Sequence, residues 1–321
     1  MVAALGRVVL TRLGTMLITL ILVSVVVFLG GQVLPGDPGR VRLGPLADAN
    51  AVAALNHQLG TDRPVSVQYF DWLMHALRGD FGNSLALNAP VAPFLRDALA
   101  NSAALVAVAL TLVLPISIGA GIWAGLRAGS YTDRAIILSS VSLAIIPDFV
   151  SALLLSMVFG LWLSWFPITG SAPPGSGFWI GIYYLILPSL PLVLIYTGYI
   201  ARMTRAGVVE ALASDYTRTA VLKGLPIRKV IWRHVLRNAL MPTIAVIATQ
   251  IGYLLGGLVV IESLFQIHGL GNLVLSAAKS RDFPMLEAGE VTLAAVYVLG
   301  AAAGDIIQMI LDPRLRGTAR T

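Results

Sequence analysis

The sequence contains no cysteine, which excludes disulfides, thiolate metal sites, iron–sulfur clusters and a cysteine nucleophile. Charge is scarce too, because Lys, Arg, Asp and Glu make up only 12% of the 321 residues, about half the roughly 25% of soluble domains. Apolar residues reach 57%, and the mean hydropathy of +0.83 is more than a water-soluble core could bury. These scarcities exclude soluble, fibrous and disordered proteins and predict an integral membrane protein.

Catalytic and metal-binding patterns are also missing from the sequence. No Lys follows a Gly, so there is no phosphate-binding loop of the Walker A type. The four histidines form no HExxH motif, and no G-x-S-x-G elbow occurs. We therefore predict a chain without catalytic residues, metal ligands or a bound cofactor, which is not itself an enzyme.

Six long apolar stretches can each supply the roughly 20 residues that a helix needs to cross a bilayer. They are predicted as helices at residues 13–36, 98–126, 135–166, 178–201, 238–261 and 291–311. A proline- and glycine-rich break at residues 167–177 separates the third from the fourth. The predicted fold is thus an all-helical membrane protein with six spans and both termini on one side.

The distribution of Lys and Arg gives the orientation. The N-terminal end, residues 127–134, residues 202–237 and the tail together carry 15 basic residues, against seven on the opposite side. The positive-inside rule makes the first set cytoplasmic, so both termini are predicted to be cytoplasmic. The basic excess is then a topology signal, and nucleic-acid binding is not predicted.

Two segments outside the spans are large enough to carry function. Residues 37–97 are predicted to lie outside, and within them Phe70, Leu73, Met74 and Leu77 follow helical spacing. That amphipathic helix would lie on the membrane surface or on the helix bundle. The chain therefore divides into residues 1–36, residues 37–97 and a core of five helices at residues 98–321.

Residues 202–237, here called the inner segment, contain start and stop signals for a short helix. Asp215 suits an N-cap, residues 216–223 would form two turns, and Gly224 suits a left-handed C-terminal position. Pro226 suits the first turn of the next helix. These signals favour a rigid helical projection over the alternative, a solvated basic loop.

The inner segment resembles the EAA loop of bacterial ABC importer permeases, in the form of the dipeptide/oligopeptide branch. The residues that carry the resemblance are Asp215, Tyr216, Arg218, Thr219, Ala220, Lys223 and Gly224, followed by Arg233, His234, Arg237 and Pro242. Arg218-Thr219-Ala220 stands where the general pattern has Glu-Ala-Ala. Further residues match the B-type subunit in order along the chain, among them Leu34 to Pro38, Ser84, Glu262, Asp282 and Asp312 to Arg314.

The resemblance implies a permease subunit of type I architecture in the bacterial inner membrane. Its implied partners are a C-type permease, two cytoplasmic ATPase subunits that use ATP and Mg²⁺, an extracytoplasmic peptide-binding protein, and membrane lipid. The seven residues from Asp215 to Gly224 are implied to couple the chain to an ATPase. A nickel importer of the same branch remains an alternative, and an ion-coupled secondary transporter or a membrane-embedded hydrolase is less favoured.

Asp148 and Glu262 are the candidate residues for the translocation path. Counted along one straight helix from residue 135, Asp148 would lie about 20 Å deep, past the middle of a ~30 Å membrane core. A carboxylate at that depth must face the bundle interior or water. It would either attract the cationic groups of a peptide or be satisfied by water or a partner helix at a kink.

Overall fold

The computed structural model describes residues 2–33, 38–44 and 46–311. These ranges form helices joined by short turns, and no strand occurs within them. The helices are α1 (Val2–Val33), α2 (Pro38–Leu43), α3 (Ala49–Leu59), α4 (Val65–Ala76), α5 (Val91–Leu126), α6 (Tyr131–Ile145), α7 (Asp148–Leu155), α8 (Phe178–Ala213), α9 (Asp215–Leu222), α10 (Ile227–Val230), α11 (Leu236–Leu264), α12 (Leu270–Ser280) and α13 (Phe283–Leu311). Two π-helical stretches, Ser156–Trp162 and Ile231–Val235, continue α7 and join α10 to α11.

Four helices, α1, α5, α8 and α13, are each long and apolar enough to cross a membrane. Two further pairs pass the same criterion but are bent, by 104° between α6 and α7 and by 61° within the α10–α11 stretch. By length and composition, each bent pair is a candidate for one broken span. Counting each bent pair as one crossing gives the six predicted spans.

The single straight helix predicted over residues 135–166 is wrong. Proline disfavours helical backbone in the residue before it, and Ile146, which precedes Pro147, is extended with φ −67° and ψ 125°. The helix therefore ends at Ile145 and restarts at Asp148. The depth predicted for Asp148 from a straight helix is wrong for the same reason.

Several other spans are longer than predicted, because charged residues lie inside the helices instead of marking their ends. Helix α5 already contains Arg96, α8 continues through Arg205 to Ala213, and α13 begins at Phe283 and contains Glu287. The end of the first predicted span, residues 34–36, lies outside the described residues. Helix α8 has 36 residues, a length of roughly 54 Å at about 1.5 Å per residue.

Close contact between α5 and α8 forms the centre of the bundle. A Cβ on Gly121 would stand 2.5 Å from the Thr204 Cβ, and one on Gly125 would stand 2.7 Å from the Val208 Cβ. Small residues four apart let two backbones approach in this way. Beside this contact, buried apolar side chains of α5, α7, α8 and α11 form the largest core cluster.

The segment between α1 and α5 packs against the bundle at two places. Near α1, the Tyr69 ring of α4 lies 5.5 Å from the Phe28 ring, and the Tyr69 hydroxyl lies 2.9 Å from the Ser24 hydroxyl. Near α13, the buried Asp282 accepts hydrogen bonds from the Ser84 hydroxyl and the Leu85 N–H. The predicted amphipathic helix is α4, and its Phe70 and Met74 remain exposed.

Candidate coupling site and translocation path

The short helix predicted in the inner segment is α9, and the first part of the segment is the end of α8. Ser214 separates α8 from α9, and its extended backbone (φ −74°, ψ 151°) makes it the N-cap of α9. The prediction of Asp215 as the N-cap is wrong by one position, since Asp215 is the first helical residue. Similarly, Pro226 precedes α10 as its N-cap instead of lying in its first turn.

One face of α9 is fixed against the bundle. Thr217 and Ala220 are buried, and the Thr217 hydroxyl donates a 2.7 Å hydrogen bond to the Ala211 carbonyl at the end of α8. Under this face lies an apolar cluster whose buried members are Val208, Ala211, Ala220, Val230, Val235, Leu236 and Ala239. Ala220 therefore holds α9 in place and is not available to a partner.

The opposite face of α9 is open to solvent. Five of the predicted coupling residues lie on it or beside it, namely Asp215, Tyr216, Arg218, Thr219 and Lys223. Sequence reasoning missed Val221 and Leu222, whose side chains are 48% and 80% exposed. The signal that could have identified them is an apolar pair that directly follows Ala220 and is not part of the buried face formed by Thr217 and Ala220.

Gly224 ends α9 in the predicted left-handed conformation. Its φ is +75°, and its N–H donates to the Val221 carbonyl at 2.9 Å. The following Leu225 N–H reaches back to the Ala220 carbonyl at 3.3 Å. No atom would lie within 4 Å of a Cβ at Gly224, so the requirement for glycine comes from the backbone and not from crowding.

An ion pair fixes the base of α8 to the start of α6. The Asp133 carboxylate is 3% exposed and accepts both Nε (2.5 Å) and Nη2 (2.7 Å) of Arg205, which is 32% exposed. The Gly129 N–H also donates to Asp133 at 2.8 Å. A forked arginine–carboxylate pair of this kind sets a defined geometry between the two helices.

Asp148 lies at the break between α6 and α7, where it is half-buried. Its Oδ1 accepts a 2.8 Å hydrogen bond from the Phe149 N–H, and its Oδ2 lies 4.0 Å from the position of a Cβ on Gly257 in α11. Backbone that leaves helical geometry at membrane depth has to border protein or a water-filled cavity. Asp148 thus occupies a junction of α7 with α11.

Glu262 lies in a packed junction and has no exposed surface in this chain. Its Oε1 accepts from the Ser102 hydroxyl of α5 at 2.5 Å, and its Oε2 accepts from the Asn272 N–H in the first turn of α12 at 3.1 Å. The structure therefore gives Glu262 a role in joining α5, α11 and α12, and not the place on an open path that the sequence suggested.

An open groove of about 580 Å³ runs along α8 and α11 beside their close contact. Its polar and aromatic lining includes Tyr199, Arg202, Thr249, Gln250 and Tyr253, whereas neither Asp148 nor Glu262 borders it. Within the described residues, no group of three or more His, Asp or Glu side chains could hold a metal ion.

The candidate spans of the helical bundle define a polytopic membrane protein. Residues 117–317 match the family described as the inner membrane component of binding-protein-dependent transport systems, and residues 5–118 match the N-terminal region of such components. The chain belongs to this family of bacterial inner-membrane permeases. The family implies further components, in general a permease partner, an ATPase and a substrate-binding protein.

Individual relatives align along nearly the whole chain. The chain is 33% identical over 311 residues to the "Probable peptide ABC transporter permease protein y4tP" of Sinorhizobium fredii, covering 97% of this chain and 99% of that protein. It is 34% identical over 308 residues to the "Glutathione transport system permease protein GsiC" of Escherichia coli, covering 96% and 98%. The protein of that name in Salmonella typhimurium is 33% identical over the same length.

Proposed function

We propose that this chain is a permease subunit of an ATP-driven importer of peptides. The observation that carries the proposal is the similarity, over 96–97% of the chain, to permeases named for peptide and for glutathione transport. None of the relatives described above is named for nickel. The two bent spans and the groove between α8 and α11 suit a protein that changes conformation around a translocation path. A secondary transporter would in addition need ionisable groups that couple transport to an ion.

The proposed mechanism assigns ATP and Mg²⁺ to partner ATPase subunits in the cytoplasm. The exposed face of α9 combines apolar Leu222 with basic Arg218 and Lys223, which suits docking into a groove on an ATPase. The buried face ties α9 to the end of α8, so displacement of α9 is transmitted to a spanning helix. A C-type permease would complete the path, and a peptide-binding protein would deliver substrate from outside.

Substitution of Gly224 by valine tests the docking role of α9. A β-branched residue at φ +75° is strained by roughly 1–2 kcal/mol, so the end of α9 should shift or fray. We expect the assembled Gly224→Val transporter to lose most of the stimulation of its ATPase activity by peptide-loaded binding protein. Both basal and stimulated ATP hydrolysis should be measured in proteoliposomes.

Gly175→Val is the matched control, because Gly175 also has positive φ (+80°) and open space, but lies in the turn before α8, at the end of that helix remote from α9. It carries a similar backbone strain without touching α9. Normal stimulation in Gly224→Val, or equal loss in both variants, would contradict the proposed coupling role. If the parent transporter is stimulated only by binding protein loaded with a substrate other than peptide, the coupling role of α9 stands and the proposed peptide substrate is refuted.

Substitution of Asp148 by serine tests its proposed contribution to the path. Asp148 is half-buried beside α11, and the only hydrogen bond of its carboxylate within the described residues is from the adjacent Phe149 N–H, which a serine hydroxyl can also accept. We expect Asp148→Ser to assemble and to transport neutral peptides normally, with several-fold slower uptake of lysine-containing peptides. If the variant takes up neutral and lysine-containing peptides equally well, the Asp148 carboxylate has only a structural role at the break between α6 and α7.

A further inference from the structure

A second cavity, of about 590 Å³, lies at the opposite end of the bundle from α9. It is bounded by the end of α1, by α3 and α4, and by the start of α13, where the amino-terminal part of the chain meets the last helix. Aromatic rings form much of its wall, namely those of Phe28, Trp72, Phe81 and Phe283. This cavity is separate from the groove between α8 and α11.

Most polar groups in the wall of this cavity are engaged with one another. Asp71 forms a 2.7 Å ion pair with Arg63, and Asp80 accepts the Gly82 N–H at 3.0 Å. The Gln68 side-chain amide donates to the carbonyls of Thr61 and Arg63. The His75 ring nitrogen Nδ1 lies 2.7 Å from the Asp71 carbonyl. These groups hold the wall together and leave little capacity for a ligand.

Two groups in the wall have no partner within the described ranges. Glu287 is only 7% exposed and makes no hydrogen bond or ion pair with any residue that the structure describes. The Trp72 indole N–H is buried and likewise lacks an acceptor there. Burial of an uncompensated carboxyl group or N–H donor is costly, so native proteins usually supply it with a partner.

The position of Glu287 depends on Gly31 in α1. A Cβ at Gly31 would stand 2.6 Å from Glu287 Oε1, so the glycine leaves room for the carboxyl group to lie against this helix. The acidic group is therefore accommodated by the local sequence and not merely tolerated. An acidic group in an aromatic-walled cavity matches a ligand that carries a cation.

We propose that this cavity binds a primary ammonium group. The ammonium pairs with Glu287 and lies among the aromatic rings, whose faces attract cations. Two sources have this chemistry, the head group of phosphatidylethanolamine and the amino terminus of a free peptide. The cavity borders both α1, with its exposed apolar side chains, and the segment proposed to lie outside the membrane.

The experiment uses the full-length chain purified within its transporter complex, with binding followed by native mass spectrometry. A phosphatidylethanolamine is compared with the phosphatidylcholine of the same acyl chains, and trialanine is compared with N-acetyl-trialanine. Each second member lacks the primary ammonium. We expect one first member to bind at least about tenfold more tightly than its counterpart, and the pair that shows the preference identifies the source.

The variant Glu287→Gln should abolish that preference, and Glu210→Gln, an exposed glutamate near the end of α8 and outside the cavity wall, should retain it. Trp72→Leu removes an aromatic face from the wall and should weaken binding several-fold, which decides the matter if Glu287→Gln fails to assemble. The proposal is overturned if all four probes bind equally, or if the preference survives in both Glu287→Gln and Trp72→Leu. Because the readout is binding, failure here leaves the proposed import of peptides unaffected.

Discussion

Replacing Arg205 by methionine is expected to destabilise the protein by about 2–4 kcal/mol. The change leaves Asp133 buried at 3% exposure with only neutral donors, and breaking one side of a buried ion pair typically costs about 3–5 kcal/mol. We expect about 2–4 kcal/mol and not the full ~3–5 kcal/mol, because 32% of the Arg205 side chain is exposed and water partly screens its charge. The temperature at which the purified complex loses its monodisperse elution peak should fall by several degrees.

A double-mutant cycle separates this pair from a general effect of losing an arginine. Asp133→Asn keeps an oxygen for the Gly129 N–H, so the double variant Asp133→Asn/Arg205→Met contains no unpaired charge. It should be more stable than Arg205→Met alone, with a coupling energy within about 0.5–3 kcal/mol. Arg202→Met, which changes an exposed arginine of the same helix, should shift stability by about 0.5 kcal/mol or less. Additive losses would remove the structural role given to the pair.

The single methyl group added by Gly207→Ala is expected to disrupt the contact between α8 and α11. A Cβ at Gly207 would stand 2.2 Å from the Ala239 carbonyl oxygen, so a backbone must move. Overpacking of this kind costs about 1–3 kcal/mol and occasionally more. Because Ala239 belongs to the apolar cluster under α9, the displacement should also reach the coupling site. We expect a poorly expressed transporter with weak stimulation by the loaded binding protein.

Gly181→Ala makes the same substitution in the same helix at a position with no atom within 4 Å of the new Cβ. Alanine is the better helix former by about 1 kcal/mol, so this variant should be as stable as the parent or more so. Both are compared by cell-membrane yield and by half-inactivation temperature of transport in vesicles. Equal behaviour of the two variants would show that α8 and α11 are not in tight contact at Gly207.

Local signals in the sequence predicted a large part of this fold. Uncharged length gave the six spans, and Gly224 followed by Pro226 marked the end of α9, because these features act within a few residues. Helix ends were predicted poorly where a charge is held inside the bundle, as Arg205 is by Asp133. Sequence cannot reveal that neutralisation, since its partner lies 72 positions away.

The same limit applies to the residues at the junctions. The hydrogen bond from Ser102 to Glu262 joins positions 160 apart, and that from Ser84 to Asp282 joins positions 198 apart. Neither pair leaves a periodic pattern, so Glu262 could be recognised as unusual but not located. The bend at Pro147 differs from these long-range hydrogen bonds, because its cause, a proline, is visible in the sequence. The angle of 104° is not, since it depends on how α7 packs against α8 and α11.

The length of α8 has a mechanical consequence. A helix needs about 30 Å to cross the hydrocarbon core of a membrane, whereas α8 is roughly 54 Å long. Its two prolines, Pro188 and Pro191, both lie in the half remote from α9. The remaining stretch to Ala213 is an unbroken rod of ~33 Å. A pivot of only ~10° near its proline end would sweep α9 through ~5 Å, about the rise of one helical turn. A small rotation of α8 within the membrane therefore corresponds to a larger displacement of α9, which a protein docked there can impose or detect.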